Sequence, residues 1–170
     1  MADSIEERFE EVARRLHELT PSPFSGPASP ETIAEAEAEL AVTFPLSYRL
    51  FLREFGAGDI PFDIYGVDPE AESKQWGCWS VVGMTQSERE DVEPRMRHSL
   101  IPFTPDGAGN HWCLDTSRLV GGECPIVFWN HEGDEDQEVE QTHPAFLDWL
   151  EETLESEDVQ EYFADKRNFA

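Results

Sequence analysis

The residues of this 170-residue chain best suited to chemistry are five histidines, three cysteines and 37 acidic side chains. His111, His131 and His143 could meet carboxylates in space. A hydrolytic or metal-dependent centre built from His111, His131, Asp106 and Glu132 is one reading of them. Their spacing does not favour it, because there is no HExxH, no HxH, no P-loop and no GxSxG elbow. The zinc deaminase signature, a His two before a Glu followed by PCxxC, is also missing, and Cys124-Pro125 is only superficially similar to it. Cys78, Cys113 and Cys124 form no CxxC pair. An odd, sparse count reads as buried thiols in a reducing compartment. No catalytic, metal or cofactor-binding residue is assigned on these grounds, and no cofactor is expected.

Three further segments invite a functional reading. Asp106-Gly107-Ala108-Gly109-Asn110 contains the glycines that let backbone amides approach an anion. A phosphate cradle normally opens a helix, however, and His111-Trp112-Cys113-Leu114-Asp115 alternates like a strand. The segment therefore reads as a hairpin turn, which wants Asp, Gly and Asn for positive φ. The run Glu132-Gly133-Asp134-Glu135-Asp136-Gln137-Glu138 offers hard oxygens for calcium but lacks EF-hand spacing. A solvated or partner-facing loop is the simpler reading. Trp76 and Trp79 differ by three, so an uninterrupted strand would place them on opposite faces, one in the core and one available as a contact anchor.

The elements that position these residues are legible in outline. Ile5, Phe9, Val12, Leu16 and Leu19 form one apolar stripe behind a Ser4/Glu7 capping box. Pro21, Pro23, Gly26 and Pro27 end that helix. Ser29-Pro30-Glu31 starts a second, and a third runs over residues 45–55 and closes at Gly56. Residues 60–67 and 76–82 read as strands, and 85–97 as helix or loop. Residues 100–115 read as a hairpin and 125–129 as a further strand. The acidic stretch 131–140 is expected to be a loop. Thr142 is expected to cap a final helix with Pro144 in its first turn, its buried face formed by Phe146, Leu147, Trp149, Leu150 and Leu154. Residues 158–169 read as a short helix or frayed tail. The expected class is α+β: N-terminal helices, a central antiparallel or mixed sheet of about 4–6 strands, and a C-terminal helix packed on the sheet. At this length a single domain is expected.

Charge excludes several classes. Twelve basic against 37 acidic residues leaves a formal net charge of −25. That opposes binding to nucleic-acid phosphates or an anionic membrane, while 11 Phe, 5 Trp and 3 Tyr are too many aromatics for a disordered acidic tail. No apolar run approaches the roughly 20 residues that span a bilayer. The first 20 residues are acidic and lack an unbroken apolar core, unlike a signal peptide. The expectation is a cytoplasmic protein. The charge far exceeds the magnitude of about 2–8 that serves solubility in a small domain, and so favours a cationic partner.

Three blocks in series carry a family resemblance. The first is Ile33-x-x-Ala36-Glu37-x-x-Leu40, then Phe44-Pro45-Leu46-Ser47-Tyr48-Arg49, then Phe51-Leu52-Arg53-Glu54-Phe55-Gly56. The second is Leu100-Ile101-Pro102-Phe103 with Asp106-Gly107-x-Gly109-Asn110 and Leu114-Asp115. The third is Pro125-Ile126-Val127-Phe128-Trp129-Asn130-His131-Glu132, followed by Phe146-Leu147-x-Trp149-Leu150. Over residues 30–154 the chain resembles the SUKH superfamily, in the branch of fungal cell-wall assembly regulators and bacterial immunity proteins. It departs from the pattern in having Phe44 for the usual leucine and Phe55-Gly56 for Asn-Gly.

The resemblance implies an α+β fold and a non-enzymatic role: stoichiometric binding and neutralisation of a cognate polymorphic toxin, often a nuclease, deaminase or peptidase domain. A regulatory adaptor of the same fold is the alternative, and a metal-dependent hydrolase a more distant one. The family brings no catalytic residues to this chain. Acidic and aromatic residues in loops beside a rigid sheet are the expected contact surface: Asp59, Asp63, Tyr65, Asp68, Glu70 and Glu72 with Trp76 or Trp79, and the loop Glu132, Asp134, Glu135, Asp136. The expected partner is a toxin protein with a basic surface, with no nucleic acid and no membrane. Oligomeric state is left open.

Overall fold

A computed structural model describes residues 3–67 and 80–168. Helix α1 (Ile5–His17) begins with the expected capping box: the Glu7 N–H donates to Ser4 Oγ, and the Ser4 N–H donates to Glu7 Oε2 at 2.8 Å. Its buried stripe is Phe9, Val12 and Leu16. Helix α2 (Pro30–Leu40) is capped by Ser29, whose Oγ accepts from the Thr32 N–H, with Pro30 in the first turn. Helix α3 (Leu46–Phe55) ends at Gly56, φ +73° and ψ −116°, a conformation closed to side chains with a Cβ. A Cβ there would also strike the Gly26 carbonyl. This is why glycine closes the helix.

Two short strands follow, β1 (Gly58–Asp59) and β2 (Asp63–Ile64), paired as an antiparallel ribbon. Of the stretch 60–67 read as one strand, only β2 is strand, and β1 lies just before it. Residues 76–82 were also expected to form a strand; 76–79 lie outside the described residues. Ser80 makes a parallel bridge to Gly66 and caps α4 (Val81–Glu90), so Val81 and Val82 are helical. Their β-branched side chains argued for a strand locally. The Ser80 cap and the burial of Val81 in the core override that preference.

The main sheet has the order β3-β4-β5-β6 and is antiparallel throughout: β3 (Leu100–Pro105), β4 (His111–Asp115), β5 (Ile126–Trp129) and β6 (Glu140–His143). Strands β3 and β4 form the expected hairpin. Strand β6 corrects the reading of Thr142 as a helix cap. The free edge of β5 takes up residues 140–143 as a strand, with Ile126 facing His143 and Phe128 facing Glu140. Unpaired edge N–H and C=O groups outweigh one local cap. Helix α5 (Phe146–Glu155) therefore starts after Pro144, with Ala145 at its N-cap and no side-chain cap. Helix α6 (Glu157–Asn168) resolves the last segment as a helix, held by buried Val159 and Phe163.

Ile101, Phe103, Leu114 and Ile126 face the helices in a core shared with Tyr48, Phe51, Phe55, Phe146 and Leu150. Phe103 meets Phe146 and Trp149 edge-on, with ring centroids 5.3 and 4.9 Å apart. Burying rings of this size supplies most of the driving force. On the opposite sheet face Leu100, Cys113, Val127 and Trp129 pack with Met96. The fold is α+β with a C-terminal helix on the sheet. Arg8 ties α1 to α5, its guanidinium donating to Asp148 at 2.8 Å and Glu151 at 2.7 Å. No described helix is long and apolar enough to cross a membrane.

Candidate partner-binding site

The acidic loop between β5 and β6 is an ordered ledge. Asp106 anchors it from the hairpin turn: its Oδ1 accepts from the Ala108 N–H (2.8 Å) and the Asn110 N–H (3.0 Å), and its Oδ2 from the Asn110 side-chain amide (2.6 Å). Burial raises the Asp106 carboxyl, but these three bonds and the nearby His111 together hold it below the usual range. Asn110 Oδ1 then faces His131, accepting its N–H at 3.0 Å and lying 2.8 Å from its ring Nδ1. Within the loop the Gln137 amide donates to the carbonyls of Asn130 and Asp134, and Gln137 Oε1 accepts from the Asn130 N–H. Gly109, at φ +95°, lets the turn close against the His131 ring.

This lattice of Asp106, Gly109, Asn110, His131 and Gln137 presents Glu132, Asp134, Glu135 and Asp136 to solvent, all four exposed. Four carboxylates on a pinned loop make a negative surface whose ordering cost is met before any partner arrives. Asp59 and Asp63 lie half-buried on the β1–β2 ribbon, and the Tyr162 hydroxyl donates to Asp59 Oδ2 at 3.3 Å. Tyr65 was expected at the surface. It is 3 % exposed and belongs to the core, with its carbonyl accepting from the Tyr48 hydroxyl. Its backbone N–H donates to the Phe103 carbonyl at 2.8 Å, which sets this stretch of chain beside β3. Asp68, Glu70, Glu72, Trp76, Trp79 and Cys78 lie outside the described residues.

Three of the four residues considered for a hydrolytic centre have other partners, and the fourth, Glu132, stands exposed. His111 Nε2 lies 3.2 Å from Glu88 Oε1, with both side chains buried. His131 is held by Asn110, and Asp106 by its own turn. Among the described residues no three His, Cys, Asp or Glu side chains gather to hold a metal ion. Burial pushes the Cys124 thiol up to about 12, with Glu123 and Asp115 adding to it, and burial pushes Cys113 well up too. Neither supplies a thiolate near neutral pH.

Two features escaped sequence reasoning. Glu123 caps α3 from 76 residues away: its Oε1 accepts from the Ser47 N–H at 2.8 Å and its Oε2 from the Ser47 hydroxyl at 2.7 Å. No local pattern encodes a cap at that separation. The second is a cavity between the sheet and α5, whose walls come from Phe62, Trp112 and Trp149. Only the aromatic richness of the chain hinted at it.

The model of the SMI1/KNR4 family (SUKH-1) matches residues 27–152, and the chain belongs to that family. Toxin immunity proteins and fungal regulators are both among its members. The matched span runs from just before α2 into α5 and includes the hairpin turn and the acidic loop.

Proposed function

We propose that this SUKH-1 protein is a cytoplasmic, non-catalytic immunity protein that binds a cognate basic toxin stoichiometrically and neutralises it. One observation carries the reading. In a chain of net charge −25, Glu132, Asp134, Glu135 and Asp136 stand exposed on a loop tied to the β3–β4 turn by Asn110 and braced from within by Gln137. A toxin that acts on nucleic acid needs a basic surface for phosphate. An acidic ledge meets such a surface with complementary potential, which accelerates encounter and disfavours wrong partners. Asp59 and Asp63 on the ribbon extend the proposed contact surface.

The test is coexpression with the product of the neighbouring gene, followed by binding kinetics on the purified pair. The neighbour alone should arrest growth, and this chain should relieve the arrest while copurifying with it. The triple variant Asp134→Asn, Glu135→Gln, Asp136→Asn should associate more slowly by about three- to tenfold at low ionic strength, with the gap closing as salt rises. A harmless neighbour, or association indifferent to salt and to the triple variant, overturns the proposal. A harmless neighbour that still binds would favour the adaptor role instead.

A further inference from the structure

The cavity between the helix-facing side of the main sheet and α5 has a volume of about 200 Å³. Ligand sites for cofactors and drug-sized molecules run from roughly 300 to 1,000 Å³, whereas an apolar hole of about 150 Å³ holds a benzene ring. The volume suits one side chain. Its walls are aromatic: Trp112 from β4, Trp149 from α5, and Phe62 from the turn of the ribbon that carries Asp59 and Asp63. Its mouth is acidic, with exposed Glu152 and Asp158. Glu152 Oε2 lies 3.1 Å from His143 Nε2, at the opening.

Thr104 supplies the independent observation. It lines the cavity and is fully buried, and its hydroxyl has no hydrogen-bond partner among the described residues. The hairpin register accounts for its position. Pro102 pairs with Cys113, but a bulge intervenes, so Thr104 pairs with Trp112 in place of His111. Cross-strand partners share a face, and the bulge turns Thr104 onto the face of Trp112. An unpaired buried hydroxyl destabilises a fold unless something binds to it.

We propose that this cavity receives an arginine side chain of the protein partner. The aromatic walls take the methylene stem and the face of the guanidinium by cation–π contact. The guanidinium carries five N–H donors in a planar fork, enough to serve the Glu152 carboxylate at the mouth and, when the walls part to admit it, the buried Thr104 Oγ1. A lysine ammonium has no such fork and is more strongly hydrated. Arginine anchors in aromatic pockets are among the residues that dominate interface energetics. The proposal deepens the reading of a basic partner and rests on it only for which protein carries the arginine.

The experiment follows the indole N–H resonances of Trp112 and Trp149 by NMR on the full chain. The probes are N-acetyl-arginine amide, its neutral citrulline counterpart and N-acetyl-leucine amide. The arginine probe should give saturable shifts of both indoles, and the other two should not. Glu152→Gln should weaken the arginine response by at least about fivefold. Thr104→Val should do the same while leaving the protein as stable as the parent or more so, because an unpaired hydroxyl is removed. A hydroxyl that served only the fold would give the stability change without the binding change. Absent shifts, or equal shifts with citrulline or leucine, overturn the proposal. On the complex with the neighbouring gene product, Thr104→Val and Glu152→Gln combined should weaken binding at least tenfold, as about two hydrogen bonds to a charged group predict. A complex indifferent to both overturns the arginine pocket and leaves the immunity reading standing. No complex at all removes the immunity reading, and the probe titration then decides the pocket by itself.

Discussion

Replacing Glu123 with alanine should loosen the N-terminus of α3, 76 residues away in sequence. That helix has Pro45 at its N-cap and no side-chain cap of its own, so Glu123 meets one of its orphan donors, the Ser47 N–H, at 2.8 Å and takes the Ser47 hydroxyl at 2.7 Å. Losing a cap costs about 0.5–2 kcal/mol, and a hydrogen bond to a charged group is worth about 1.5–3 kcal/mol. These figures overlap, and the relief of a desolvated charge offsets part of them. A net loss of about 2 kcal/mol lowers Tm by about 4–8 °C in a domain of this size. Glu123→Gln keeps an acceptor for the Ser47 N–H and gives up the charge, so it should lose about half as much. The pH dependence separates the two effects. Desolvation raises the Glu123 carboxyl, outweighing the Ser47 bonds that lower it. The folded state therefore binds this proton more tightly than the unfolded state does. From this group alone, stability rises as pH falls from neutral through the raised folded value towards the ordinary carboxylate range. The glutamine does not titrate, so the advantage of the parent over Glu123→Gln should widen between neutral pH and about pH 5. Thermal and urea unfolding followed by circular dichroism measures both quantities. An alanine variant within about 1 °C of the parent, or a gap to glutamine that narrows on acidification, would refute the remote-cap argument.

The remaining predictions concern the two turns that shape the molecule. Gly56→Ala should lower Tm by at least about 5 °C, since a strained backbone costs about 1–3 kcal/mol before the collision with the Gly26 carbonyl is counted; an unchanged melting curve would show that the φ of +73° is not required. Asp106→Ala should release Asn110 and with it His131, lowering Tm by about 2–4 °C and raising amide exchange across 130–137 more than in the core. Its carboxyl is held below the usual range, so its contribution is present above the ordinary aspartate value and is lost as pH falls through the lowered folded value. Asp106→Asn should accordingly flatten the acid limb of the stability curve, and an acid limb identical to the parent's would contradict that.

Local chemistry made much of this protein legible. Ser4 with Glu7, and Ser29 with Pro30, announce helix starts because a cap needs only neighbours three residues apart. Gly56 and the Asp106–Asn110 turn were readable for the same reason, since positive φ is a demand that few residues meet. The acidic loop was visible as composition, and its family from three short blocks that the SUKH-1 match spans. The α+β class followed from the switch of period along the chain.

What tertiary structure alone decided involves partners far apart in sequence. Residues 140–143 became a strand because β5 had an edge to fill, a fact absent from their own pattern. Val81 and Val82 became helical under the Ser80 cap and the pull of the core. Tyr65 is buried in the core, on a stretch of chain whose backbone bonds to Phe103. Thr104 reached the cavity wall only because a bulge shifts the hairpin register, and Glu123 reached α3 only because the chain returns to it. Sequence determines spacings of a few residues, where one side chain can satisfy its neighbour's backbone. Which distant groups share a face, an edge or a cavity depends on how the whole chain buries its apolar surface, and no local pattern carries that.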